Sequence, residues 1–205
     1  MEPEALDQSK PINLIAESTN KLIRHAAIDR VRTHTRENEF ILLDLDDTYQ
    51  AGQVLANNMS LILISGEAIR ITLKLQFSHG KIKNIVYPIY GKDSPSEISN
   101  EQSMDYMKEL GNLIAGYVVQ MFEKTEIPLG ISLPLGTKGF YEIFADYTDA
   151  DYPVIKYSDL WCLEHGNTKI FGTVLTEVLD INTLEKVAFD ETSHDDDDEG
   201  EFDFL

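Results

Sequence analysis

The sequence predicts an α+β domain in which two long helices pack on an antiparallel β-sheet and the chain falls into two related halves with pseudo-two-fold symmetry. Two observations carry this reading. Apolar residues recur at helical spacing in two well-separated segments, and each segment is followed by runs rich in β-branched and aromatic residues with turn signals between them. The order helix, strands, helix, strands suggests halves that share one sheet system.

The first helix spans Pro11 to about Ala27, where Ile12, Ile15, Leu22, Ile23 and Ala26 recur at helical spacing. Pro11 sits near its start, where a missing amide proton costs little. Phe40–Leu43, Leu61–Ser65, Ile69–Phe77 and Ile82–Tyr90 then read as strands, with His79-Gly80 as a turn. After the polar loop Ser96–Asn100, a second helix runs from about Glu101 to Lys124 on unbroken periodicity. Ile127–Pro134, Gly139–Phe144, Val154–Leu163 and Lys169–Val178 read as the second group of strands.

At 205 residues, 42% of them hydrophobic and 26% charged, the chain is long enough for one sizeable core and short for two. The expected organisation is a single domain over residues 1–188 and a tail over 189–205. From Asp190 onward the chain holds nine acidic residues and no Lys or Arg, a composition that buries too little apolar surface to offset its ordering entropy. A solubilising, disordered tail is the preferred reading, over a docking peptide built on Phe202, Phe204 and Leu205. A net charge of -19 opposes binding to nucleic acid or to an anionic membrane surface. No run reaches the roughly 18 apolar residues of a spanning helix, and Met1–Ser9 lacks the pattern of a secretory signal. The expectation is a soluble cytoplasmic protein. The single cysteine, Cys162, beside Trp161 in an alternating strand, reads as a buried packing thiol.

The second helix carries the candidate chemistry. On a helical wheel Asp105, Glu109, Asn112, Gly116 and Gln120 share one stripe, while Met107, Leu110, Ile114, Val118 and Met121 take the opposite face. The apolar set suits packing on a sheet, so the polar stripe looks outward. Gly111 and Gly116 each cost about 1 kcal/mol relative to Ala within a helix, which calls for a reason. Gly111 falls near the apolar side, where it would let the helix approach the sheet; Gly116 lies on the polar stripe, where a partner surface could come close. A carboxylate and an amide one turn apart beside a glycine suit docking of another protein. The residues alone favour an ordinary solvated face with two core-packing glycines.

The run Asp105-Tyr106-Met107-Lys108-Glu109-Leu110-Gly111-Asn112-Leu113-Ile114-Ala115-Gly116 resembles the signature helix of the CheC/CheX/FliM-type chemotaxis phosphatases, D/S-x3-E-x2-N followed by an apolar-Ala-Gly stretch. Ile131-Ser132-Leu133-Pro134 is similar to the strand these proteins place soon after that helix, and Ile12–Leu22 to the first helix of CheX. The resemblance touches about residues 11–180. It implies a CheC/CheX-like fold and removal of phosphate from the aspartyl phosphate of a response-regulator, CheY-like receiver domain. Glu109 would pair with the receiver's active-site lysine, and Asn112 would position the attacking water. Asp105, Gly116 and Gln120 would lie in the partner contact. The chain would need no cofactor of its own, since the Mg²⁺ is the receiver's. A homodimer through sheet edges is a further expectation, with Ile69–Phe77 as the edge. The alternative from another class is a non-catalytic adaptor that binds receiver domains or flagellar-switch components.

Three rival signals are weaker. Asn13, Glu17 and Asn20 repeat the spacing on the first helix without its glycines, and that helix reads as structural. Ile41–Thr48, with Asp44, Asp46 and Asp47, resembles the first motif of haloacid-dehalogenase-type phosphatases, with Ser65 imitating the second. The chain beyond Thr48 reads as successive strands rather than strand-helix alternation, so these are strand-end and loop carboxylates. His25, His34, His79, His165 and His194 show no metal-ligand spacing and are read as surface or loop residues.

Overall fold

Helix α1 (Ser9–Thr35) outlasts its predicted end by two turns. Beyond Ala27 its apolar residues thin to Ile28 and Val31, and the charged residues between them obscure the period. Arg32 Nε and Nη2 both donate to the Phe40 carbonyl, at 3.0 and 2.5 Å, and turn the chain into β1 (Ile41–Asp44). The computed structural model describes residues 9–35, 39–45, 56–138 and 155–184. The remaining elements are β2 (Asn58–Ser65), β3 (Ile69–Phe77), α2 (His79–Val86), α3 (Asn100–Glu123), β4 (Gly130–Ile131), β5 (Leu135–Lys138), β6 (Ile155–His165), β7 (Thr168–Val178) and the single turn α4 (Ile181–Leu184). The expected strand Gly139–Phe144 and the acidic tail lie outside the described residues.

The described strands form one seven-stranded antiparallel sheet in the order β1-β6-β7-β3-β2-β4, with β5 also on β2. Each long helix belongs to a half that contains a hairpin, β2-β3 or β6-β7. The first strand after each helix crosses over: β1 leaves α1 to flank β6, and β4 and β5 leave α3 to flank β2. The two halves are thereby stitched into one sheet, as the α+β reading with pseudo-two-fold halves expects.

Three local expectations are corrected. Ile82–Tyr90 is not a strand: its first half is α2, and Ser78-His79-Gly80 opens that helix rather than a hairpin turn. Ile82, Ile85 and Val86 are the residues α2 buries, a spacing of three and four that puts them on one helical face despite their β-branched side chains. Ile127–Pro134 is not one strand either. The chain pairs at β4, leaves the ladder at Leu133-Pro134, where proline has no N–H to give, and pairs again at β5. Ile69–Phe77 offers no edge for a second copy, because β3 is hydrogen-bonded on both sides, to β2 and β7.

The core lies between the helices and one face of the sheet. Ile23, Ala26, Ala27 and Val31 of α1 and Met107, Leu110, Ile114 and Val118 of α3 are fully buried, in one cluster with Ile62, Ile64, Ile71, Leu73, Leu75, Trp161, Leu163 and Val174. Arg24 clips α1 to the sheet. Its Nε and Nη2 bind the Asp159 carboxylate at 2.7 and 2.5 Å, and Nη1 pairs with Asp44. Asp44 is thus a well-exposed strand-end carboxylate held by an arginine, with Ser65 at the far end of β2, as the strand-end reading requires; Asp46 and Asp47 lie outside the described residues.

Cys162 sits on the other sheet face, buried with Ala56 and Phe171, and burial pushes its thiol pKa up to about 11. A thiol reacts as thiolate. Iodoacetamide at pH 8 is therefore expected to leave folded protein unlabelled and to label it fully in denaturant, read by intact mass.

Candidate functional site

Helix α3 begins on a capping box. The Ser99 hydroxyl accepts from Gln102 N–H at 3.0 Å, and Gln102 Oε1 accepts from Ser99 N–H at 2.9 Å, an arrangement worth about 1 kcal/mol. This start fixes the rotation of everything after it. Met107, Leu110, Ile114, Val118 and Met121 turn into the core. Asp105 and Gln120 are exposed, and Glu109, Asn112 and Gly116 are half-buried, so the five stripe residues lie on the side of α3 away from the sheet.

Within the stripe, Asn112 Nδ2 donates to Glu109 Oε2 at 3.4 Å, and Lys108 Nζ lies 3.6 Å from Asp105 Oδ1. The amide oxygen of Asn112 and its second N–H remain for water or a partner, since no other described residue engages them. An amide both donates and accepts without titrating near neutral pH, and the adjacent carboxylate supplies a fixed negative charge. The pair can orient one water and meet one cation.

The two glycines differ. A Cβ added at Gly116 would meet nothing within 4 Å, so the stripe is open there to an approaching surface. At Gly111 a Cβ would meet Ser60 Oγ, Leu75 Cδ1 and Ile62 Cγ2 at 3.8 to 4.0 Å, which is ordinary contact. Gly111 faces the sheet as expected, but the helix does not sit so close that glycine is required. Gly111→Ala should therefore raise unfolding stability by about 1 kcal/mol, the helix-propensity gain, measured by urea denaturation.

The neighbours of α3 had no sequence signal. On one flank Gly136 of β5 lies against Met104 and Lys108. On the other, α1 runs antiparallel to α3: the His34 ring lies 5.3 Å from that of Tyr106, the His25 ring 6.3 Å from that of Tyr117, and Arg30 lies 5.2 Å over the Tyr117 ring. His25 is exposed, but the surface-or-loop reading fails for His34 and His79 in helices and for His165 in β6, which are half-buried; His194 lies outside the described residues. His79 opens α2 with Nδ1 2.5 Å from the buried Ser103 hydroxyl, and desolvation, then Lys83 and Lys138, lower its pKa. On α1, Glu17 is exposed, whereas Asn20 turns a buried Oδ1 inward that has no hydrogen-bond partner among the described residues. Among those residues no group of three or more His, Cys, Asp or Glu side chains converges, and no helix is long and apolar enough to cross a membrane.

Fold and stripe together define a class: an α+β domain with two long helices, whose described strands form one seven-stranded antiparallel sheet, and which presents the Glu109-x-x-Asn112 pair on the second long helix. Solved structures similar in fold include CheC-like, CheX, FliM and FliY proteins, and the chain has their fold. A chain of the CheX-CheY-BeF3-Mg complex from Borrelia burgdorferi is 11% identical, with a TM-score of 0.59 over 77% of this chain and 96% of that one. CheX from Vibrio vulnificus is 13% identical, with a TM-score of 0.55 over 78% and 96%. A chain of the FliM-SpeE complex from H. pylori is 7% identical, with a TM-score of 0.56 over 88% and 95%. No family model matches the sequence, and no curated protein does.

Proposed function

We propose that this protein docks on a phosphorylated response-regulator receiver domain through α3 and accelerates loss of phosphate from its aspartyl phosphate. The observation that carries the proposal is the Glu109-Asn112 pair, bonded together on the open side of α3 next to an unobstructed Gly116. The CheX-CheY complex among the proteins of this fold supports a receiver as the class of partner.

An aspartyl phosphate is an activated acyl phosphate, so the catalyst has mainly to align water and stabilise charge. The Asn112 amide holds a water in line with the bond to be broken. The water oxygen bonds to phosphorus, the bond from phosphorus to the aspartate oxygen breaks, and a carboxylate and inorganic phosphate leave. Glu109 pairs with the receiver's lysine and fixes the docking register. The Mg²⁺ that balances phosphoryl charge belongs to the receiver.

The test measures phosphate loss from phosphorylated receivers of the same organism, with and without this protein. Acceleration of one receiver is the expected result, and its absence across all of them overturns the proposal. Binding of an activated receiver without acceleration would instead support a docking adaptor; a FliM chain of similar fold forms a complex with SpeE. Occlusion of Gly116 gives a second check. Gly116→Phe should weaken receiver binding by about tenfold or more, while Gly116→Ala should leave it within about twofold, measured by fluorescence anisotropy.

A further inference from the structure

Strands β4 and β5 follow one another along one edge of the sheet, both paired with β2. Ile131 stands opposite Ile64 and Leu135 opposite Leu61, so four steps along the edge match three along β2, which is a bulge of one residue. The bulge is held from its inner side. Ser132 N–H donates to the Leu63 carbonyl at 2.8 Å, and Leu63 N–H donates to the Ser132 hydroxyl at 3.0 Å, a side chain taking the place of the backbone acceptor. Leu133 comes next and is 91% exposed, the most exposed large apolar residue among those described. Exposed leucines are common on protein surfaces, but this one is fixed beside the stripe. Between Leu63 and Leu61 on β2 comes Ile62, whose Cγ2 would lie 4.0 Å from a Cβ at Gly111, the residue before Asn112. Just beyond the bulge, Gly136 lies against Met104 and Lys108, and Lys108 precedes Asn112 by one helical turn.

We infer that Leu133 is the apolar anchor of the receiver contact, filling a pocket on the same partner that covers the stripe; this rests on the function proposed above. The stripe residues Asp105, Glu109, Asn112, Gly116 and Gln120 offer charge, amides and a smooth glycine but no apolar side chain. The buried centre of a stable interface is apolar, and a partner that covers Asn112 and spreads over the Lys108 flank of α3 reaches the bulge. The same edge is poorly built for a second copy of the chain. Strand β4 has two residues, Pro134 has no N–H to give, and the bulge interrupts the row of backbone groups that an added strand would need. This edge therefore presents a side chain to a pocket. Leu133 carries no group that could hold a water or a proton, so its contribution is to affinity and leaves the rate of the bound complex alone.

The test compares full-length wild type, Leu133→Ala, Leu133→Met and Leu135→Ala for affinity toward a BeF3-activated receiver and for single-turnover phosphate release from the phosphorylated one. Leu135 is the control: it is 52% exposed, but Ser60 and Ile62 face α3, so Leu61 and its partner Leu135 point to the other face of the sheet. Leu133→Ala should weaken binding about tenfold, the effect of leaving one leucine side chain unburied, with the rate of the bound complex within about twofold of wild type. Leu133→Met should recover most of the affinity, and Leu135→Ala should stay within about twofold. Wild-type affinity in Leu133→Ala, an equal loss in Leu135→Ala, or a loss of rate in place of affinity overturns the anchor while the proposed function stands. Light scattering supplies a further check, since a wild-type dimer that Leu133→Ala separates would make a second copy the occupant and overturn the assignment to the receiver. Failure of wild type to bind any receiver overturns the proposed function, and the anchor with it.

Discussion

Alanine at position 112 is expected to lower the rate of receiver dephosphorylation about 10²-fold or more while leaving receiver affinity nearly unchanged. The magnitude comes from removing a single preoriented hydrogen-bonding group at the reacting centre, which costs roughly 3 to 4 kcal/mol of barrier. Folding should not confound the result. Asn112 is half-buried on the open side of α3, its bond to Glu109 is long at 3.4 Å, and alanine is the better helix former. Asn112→Asp is a sharper variant of nearly the same shape, because it sets a carboxylate where the anionic phosphoryl group must come. It should lose at least as much rate as alanine and should weaken binding as well. Glu109→Ala should show the converse split, with affinity lost and the rate for bound complex largely kept. Single-turnover phosphate release at varied protein concentration separates the two parameters.

The largest stability effect is expected at Gly172, far from the stripe. Gly172 of β7 stands opposite Trp161 of β6, and a Cβ there would come within 2.2 to 2.3 Å of three atoms of the indole ring. Trp161 is fully buried in the main core, so the ring has nowhere to retreat. Strand propensity alone would favour alanine over glycine at this position. Overpacking reverses the sign, and Gly172→Ala should destabilise by about 3 kcal/mol, at the upper end of what inserted methyl groups cost. For a chain of this length that is roughly a 10 °C fall in Tm. Calorimetry of Gly172→Ala, with Trp161→Leu as a partner, makes the cause visible. The smaller side chain should recover part of the loss in the double variant beyond the sum of the single effects.

What could be read from the residues was whatever rests on local period. The apolar run of α3 and the alternation of β2, β3, β6 and β7 place these elements and turn Glu109 and Asn112 to the same side. The start of α3 is marked more sharply by the Ser99-to-Gln102 capping box than by periodicity, which sets it at about Glu101. Helix α2 was not legible as a helix because its eight residues are few and its buried ones are isoleucine and valine, which imitate a strand. The interior position of β3 depends on which hairpins meet across the sheet centre, and no local pattern encodes that. For the same reason His34 looked like a surface residue: it meets Tyr106 across about 70 residues of sequence, through the packing of two helices.

If the outward stripe of α3 docks an activated receiver, Asn112 lies at the centre of the contact, and side-chain amide resonances report it. On adding a BeF3-activated receiver with Mg²⁺ to the labelled full chain, the Asn112 and Gln120 side-chain amide signals should shift, and the Asn112 shift should be absent with unactivated receiver. Binding that leaves the Asn112 amide unmoved, with perturbations confined to β1 or α2, would overturn docking through this stripe.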